Sequence, residues 1–468
     1  MNCSYKTIKN CKSIVQLGMP IFVAQMAVLF CGISDSIVAG HLGASQLAAI
    51  GIGSSIWIAI FATFLGVVQG IAPMIAKQFG GQKFAEIENS IAAGLLIAVL
   101  LSFIGIWTLI HSSTLLTLIN APLDVRLLAK GYLDVFIYAL PAAMLVRVFY
   151  AFTPAVGISH PVMFINIVAF FIKVPLSVTL AYGYFGFPQL GAIGCAIGSV
   201  VMFWTMLVAS LVYVYYSSRY SIIGIRFPRR LPTFNILFST LRVGIPMAIS
   251  QFSEIGSFTI LALFIAKYGA NTSAAHQIIA SITSVFYMIP MALGIATQAL
   301  VSQNRGAGEY SNAKGIALAG LVLTLSLAMI SAVILLTIGM VLLRIYSDDL
   351  KVVLLASIIL PISAGYHLCD AVQCVTSSIL RAYEKNVAPT IYYVLSLWGI
   401  GVGCGWLLSN YGVELLRLNL FLDPMGFKGY WISSTAGLLL ASIIMLIMLA
   451  NKIKYDVKSC HLSTTTSL

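Results

Sequence analysis

Twelve stretches of this chain are apolar over about twenty residues or more, the length a helix needs to cross the hydrocarbon core of a bilayer. They run near 15–39, 46–72, 89–112, 131–155, 161–182, 191–216, 240–266, 274–300, 314–343, 351–379, 387–409 and 427–451. None shows the short alternating segments of a membrane barrel. With 60% of residues hydrophobic and 9% charged, the chain has too little polar surface to cover a water-soluble globule, so lipid is its expected solvent. The expected fold is an all-α polytopic membrane protein of twelve transmembrane helices.

A formal net charge of +12 invites a nucleic-acid reading, which the placement of the charges rejects. With the N-terminus inside and loops assigned alternately, 17 of the 26 Lys and Arg fall on the inward side and 7 on the outward side. Arg147 and Lys173 make up the remainder, inside spans. This is the pattern of cytoplasmic loops facing anionic lipid. It places the chain in the inner or plasma membrane with both termini cytoplasmic. The eight cysteines lie in inward tails or within spans and read as reduced, small apolar residues. The first apolar stretch is too long for a signal-peptide core and is expected to be retained. Asn271-Thr-Ser fits a glycosylation acceptor only as a three-residue pattern.

Sliding the sequence on itself by 226 residues brings "LGMPIFVAQ" at 17–25 onto "VGIPMAISQ" at 243–251, pairing Gly18 with Gly244, Pro20 with Pro246 and Gln25 with Gln251. The register continues through Gly43-Ala44 on Gly269-Ala270, Gly80 on Gly306 and Gly94 on Gly320. An even number of spans separates the copies, so they are parallel repeats. The expected organisation is two pseudo-symmetric six-helix bundles, 1–216 and 240–451. A cytoplasmic linker at 217–239 joins them and a cytoplasmic tail follows at 452–468. Two bundles rocking about a central cleft is an architecture of alternating access.

A charged side chain at mid-membrane costs about 2.5–3.5 kcal/mol even on a lenient scale, so each one needs a partner or a purpose. Asp35 in "CGISDSIVAG" reads as a carboxylate that exchanges a proton or a cation, or as half of a structural pair. Glu254 in "QFSEIGSF" and Asp370 in "YHLCDAVQC" place two acids in the second bundle, suited to Na⁺ coordination or shared-proton chemistry. Tyr366 precedes Asp370 by one helical turn and can lend an oxygen to the same site. In the 226-residue register Glu254 falls on Val28, seven residues from Asp35, so the repeats set their acids at different depths. Lys173 in "FFIKVPLSV" must snorkel, lose its proton or pair, and Asp35 is the mid-span acid of its own bundle. A structural pair and a gate are both open for it. Arg147 is expected to snorkel to the interface, and His276 and His367 to serve packing.

No GxxxxGKS/T loop, HExxH, paired CxxC, GxSxG or metal-spaced cluster occurs. The chain is therefore expected to be no enzyme, to carry no cofactor beyond a coupling ion, and to need no nucleic acid. Its partners are a small-molecule substrate, Na⁺ or H⁺, and membrane lipid, and a monomer suffices for this architecture.

Six pieces in order, "GMPIFVAQ" with Asp35, "AKQFGGQ", "GIPMAISQFSE", "AAHQI", "YHLCDAVQ" and "LRAYEKN", resemble the multidrug and toxic compound extrusion (MATE) family, in particular its NorM-like branch, over residues 14 to 452. The resemblance implies two lobes forming a V. It further implies export of small organic, often cationic, compounds by antiport against inward Na⁺ or H⁺. Asp35 matches the family's N-lobe acid, and Glu254, Asp370 and Tyr366 match the C-lobe cation site, with Na⁺ as a candidate occupant. Where NorM-like proteins place two asparagines in the fifth span, this chain has Lys173 and Ser177. That departure points to a gate or to tuning of the substrate. Two alternatives are a lipid-linked oligosaccharide flippase of related fold, which would want many basic residues in its cavity, and a membrane receptor or scaffold, which would want a large outer domain or long tails.

Overall fold

A computed structural model describes residues 2–117, 122–218, 220, 231–411, 413–415, 420–422 and 425–465. The basic run at 221–230, which the sequence assigns to the inter-bundle linker, lies outside the described residues.

The helices are α1 (Asn2–Leu42), α2 (Ala44–Gln69), α3 (Ile71–Gly80), α4 (Phe84–Ile110), α5 (Ser112–Thr117), α6 (Leu123–Phe136), α7 (Leu140–Ala155), α8 (His160–Tyr182) and α9 (Ala192–Tyr216). They continue as α10 (Phe234–Ala266), α11 (Ala270–Gly306), α12 (Tyr310–Tyr346), α13 (Leu350–Ala382), α14 (Val387–Leu395), α15 (Gly405–Asn410) and α16 (Phe427–Thr465). A π-helical segment, Ser396–Cys404, joins α14 to α15 within one span. Eleven helices or helix runs among the described residues are long and apolar enough to cross a membrane, and the bent pair α6–α7 makes a twelfth. The 54° bend of that pair has a simple cause. Pro141 stands in the first turn of α7, and its missing N–H and fixed ring break the hydrogen-bond ladder there. The fourth span accordingly begins at Leu123, upstream of the expected 131. Outside the helices, β1 (Val413–Leu415) pairs antiparallel with β2 (Leu420–Leu422), a short ribbon that the sequence did not signal.

Large apolar side chains such as Phe103, Trp107, Phe171 and Val333 point outward, as lipid-facing positions require.

The chain forms two compact units, one of residues 19–248 and one of residues 1–18 with 249–468. Each has its own apolar core, the first around Trp57, Phe136, Met144 and Phe203, the second around Ile279, Leu335, Ile379 and Trp431. Ile14 and Leu17 of α1 belong to the second core.

The repeat shows in backbone geometry. Gly43 alone turns the chain between α1 and α2 with φ 123°, and its counterpart Gly269 opens α11 with φ 102°. Residues with a side chain adopt such φ values only under strain. In the unit of 19–248, α10 crosses α2 and α3 at close range. A Cβ on Gly66 would lie 2.5 Å from the Ala248 Cα, and one on Gly70 would lie 2.7 Å from the Gly244 nitrogen. This is the small-residue crossing of membrane helices, where backbones meet because side chains are absent. The counterpart crossing in the other unit sets Gly18 against Leu293 and Ala296 at 3.4 and 3.5 Å, ordinary packing distances.

Candidate functional site

In the unit of 19–248, α1 and α8 bring Asp35 and Lys173 together as an ion pair. Lys173 is fully buried and Asp35 is 5% exposed. Cys31, Ser34 and Asp35 occupy one turn of α1 on one face, because residues three and four apart lie above one another on a helix. The Lys173 ammonium donates to all three: to the Cys31 carbonyl at 2.7 Å, to the Ser34 hydroxyl at 3.3 Å, and to the Asp35 carboxylate. The Ser177 hydroxyl, one turn along α8, and the Cys195 thiol of α9 face the same carboxylate. Gly198 permits this approach of α9 to α8, since a Cβ there would overlap the Ser177 oxygen.

Arg147 does not snorkel. Its guanidinium lies over the rings of Phe61 and Tyr150, 5.0 and 5.6 Å from their centroids. It has no carboxylate partner among the described residues, and its Nε has no hydrogen-bond partner there. The reason is position: Arg147 is mid-way along α7, where aromatic faces are nearer than the helix end and a cation–π contact replaces interfacial water.

In the other unit, Asp370 of α13 and Glu254 of α10 lie within electrostatic reach of one another. Asp370 is buried and Glu254 partly so. Three phenols surround them. Tyr366 stands one turn before Asp370, packed edge-on to Phe258 and Trp431 with centroids 5.9 and 5.7 Å apart. Tyr393 of α14 presents its hydroxyl to the Glu254 carboxyl. Tyr287 of α11 senses both acids and donates to the Cys374 sulfur. Arg381, in the last turn of α13, is a cation within electrostatic reach of Glu254 and donates to the Ser377 hydroxyl at 3.1 Å. Tyr393 is set just ahead of the π-helical segment. There Gly437 of α16 approaches the Ser396 carbonyl so closely that a Cβ would lie 2.7 Å from its oxygen. Local widening of a helix by π geometry is common beside functional groups.

The structure thus gathers Glu254, Asp370 and Tyr366 into one group, and Asp35, Lys173 and Ser177 into another. Sequence reading passed over Tyr287, Tyr393 and Arg381. A mid-span tyrosine hydroxyl needs a polar partner, and that requirement was the available signal. His276 packs against Trp431 and His367 against Phe286. No group of three or more His, Cys, Asp or Glu is placed to hold a metal ion among the described residues. A cation between Glu254 and Asp370 would therefore complete its shell from phenol, carbonyl or water oxygens.

The MatE family pattern matches residues 20–179 and again 246–407, two segments that begin 226 residues apart and cover most of the chain. The chain belongs to the MatE family. Among its relatives, a probable multidrug resistance protein NorM of Aromatoleum aromaticum is 32% identical over 425 residues, 91% of this chain and 90% of that protein. The multidrug resistance protein MdtK of Proteus mirabilis is 28% identical over 445 residues, 94% and 95% of the two chains. The fold is that of the crystal structure of the eukaryotic MATE transporter AtDTX14, with a TM-score of 0.84 at 19% identity over 97% of this chain and all of that one. A crystal structure of MATE in the straight conformation gives 0.85 over 96% of this chain. The two-bundle membrane fold and the family read from the sequence both stand. As a MatE protein the chain is a multi-span membrane transporter, not an enzyme.

Proposed function

We propose that this MatE protein exports small organic compounds across the cell membrane by alternating access, coupled to Na⁺ or H⁺ entering at Glu254 and Asp370. The observation that carries the coupling site is the pairing of these two acids, Asp370 buried, ringed by Tyr287, Tyr366 and Tyr393. Two carboxylates within electrostatic reach of one another in a low-dielectric interior favour a bound cation or a shared proton over two bare charges. Binding of that ion favours one conformation and substrate the other, so each ligand's differential affinity drives the exchange. Drug-like substrates are supported by the multidrug resistance names of the relatives, and a cationic preference by the family resemblance. The basic residues of the inward-assigned loops support an orientation with both termini cytoplasmic.

The test is efflux of a cationic dye from proteoliposomes under an imposed Na⁺ or H⁺ gradient. Gradient-driven efflux that is lost in Asp370→Asn and in Glu254→Gln supports the reading, and the effective gradient names the ion. Efflux equally driven in both variants removes the coupling site from this pair.

A further inference from the structure

The Asp35 site has the composition of a cation site, already filled. Its oxygens are a main-chain carbonyl, a hydroxyl and a carboxylate, the neutral and anionic donors that hard monovalent and divalent cations take. An ammonium has three N–H donors and no acceptor. Lys173 uses all three, on Cys31, Ser34 and Asp35, with the side chain wholly buried. The groups that face Asp35 from the packed elements are otherwise uncharged polar side chains, Ser177 and Cys195, and the Tyr132 phenol of α6. No second positive charge is needed to balance the carboxylate, and the ammonium leaves no donor free to bind elsewhere.

We propose that the Lys173 ammonium is the resident cation of the Asp35 site. A tethered charge occupies the position an exchangeable Na⁺ or H⁺ would take, so this site exchanges no ion during transport. The inference rests on the coupling reading above and sharpens it: all ion exchange is left to Glu254 and Asp370. Its corollary is that deleting the ammonium without touching its oxygens creates a vacant cation site in the unit of 19–248.

The experiment counts cations bound to the full-length chain in detergent, by equilibrium binding of radioactive Na⁺ and by proton uptake in weakly buffered solution. The unmodified chain and the Glu254→Gln/Asp370→Asn variant are compared first, with Lys173 intact in both. The expected result is saturable cation binding to the unmodified chain and none to the variant. Cation binding that survives in the variant and disappears on adding Asp35→Asn overturns the proposal, whatever Lys173 variants do. Lys173→Gln is then introduced into the Glu254→Gln/Asp370→Asn variant. The expected gain is one Na⁺ or one H⁺ per chain, abolished by Asp35→Asn and absent in Lys173→Arg, which keeps the charge. A monodisperse Lys173→Gln protein that gains neither ion also overturns it. The coupling reading fails by a different result, namely that the unmodified chain binds no cation or binds it undiminished without Glu254 and Asp370.

Discussion

The two units share a scaffold to the level of single glycines, yet their interiors carry opposite charge balances. In the unit of 19–248, Lys173 and Arg147 stand against the buried Asp35 carboxylate among the described residues. In the other, apart from the mutually paired Arg305 and Asp456, the described residues set Glu254 and Asp370 against the Arg381 guanidinium at the end of its helix. A duplicated bundle fixes where helices run, because Gly, Pro and small-residue contacts at equivalent positions determine how backbones approach. It leaves free which polar groups line the interior. A carboxylate whose counter-charge is on the next helix is settled within the protein, whereas a pair with surplus negative charge calls for a mobile cation. With ion coupling at Glu254 and Asp370 as proposed, the difference gives the units separate tasks on one shared geometry.

The comparison breaks most visibly if the acids of the second unit are neutralised. Asp370→Asn is expected to abolish gradient-driven dye efflux while substrate binding, read by dye fluorescence polarisation, persists. Loss of binding together with coupling would mean that Asp370 holds the fold or the substrate and is not reserved for the ion.

Next in size is the cost of separating Asp35 from Lys173. Removing one member of a buried ion pair leaves an uncompensated charge and destabilises by about 3–5 kcal/mol, whereas replacing both by apolar groups is close to neutral. Lys173→Met is therefore expected to lower the thermal transition of the detergent-solubilised protein markedly. Asp35→Leu with Lys173→Met is expected to restore most of it. If the double variant is as unstable as the single, the pair does more than balance charge, and the hydroxyl, thiol and carbonyl around it require an ammonium for their own satisfaction.

How much of this could be read beforehand follows from which interactions are local. Hydrophobic runs long enough to span a bilayer and the 226-residue register needed nothing but the chain, and they yielded the fold. The neighbouring of Asp370 and Tyr366 followed from helical spacing. The encounter of Lys173 with Asp35, 138 positions apart, followed from a cost argument: a buried ammonium must find an acid, and one lay in its bundle. Tyr287 and Tyr393 were legible only as mid-span hydroxyls in need of a polar partner; which partner they find comes from α11 and α14 meeting α10 and α13 in space. Arg147 was misread because snorkelling assumes that the nearest relief is water. Here it was the faces of Phe61 and Tyr150.

The smallest effects come from the paired crossings, and they test whether the shared scaffold is equally tight in both units. Gly70→Ala places a methyl 2.7 Å from the Gly244 nitrogen. Main-chain atoms cannot swing aside as a side chain can, so the helices must part, at an overpacking cost of about 1–3 kcal/mol. Gly18→Ala places its methyl 3.4 Å from a Leu293 methyl and 3.5 Å from the Ala296 Cβ, contacts that normal packing tolerates. Alanine is also favoured over glycine within a helix by up to about 1 kcal/mol. Those terms nearly cancel, so Gly18→Ala is expected to stay within roughly 0.5 kcal/mol of the unmodified protein. Thermal unfolding of both variants in the same detergent decides it. Equal damage would mean that the crossing of α1 with α11 tightens in a conformation other than the one described, and that the looser of the two contacts is the one that moves.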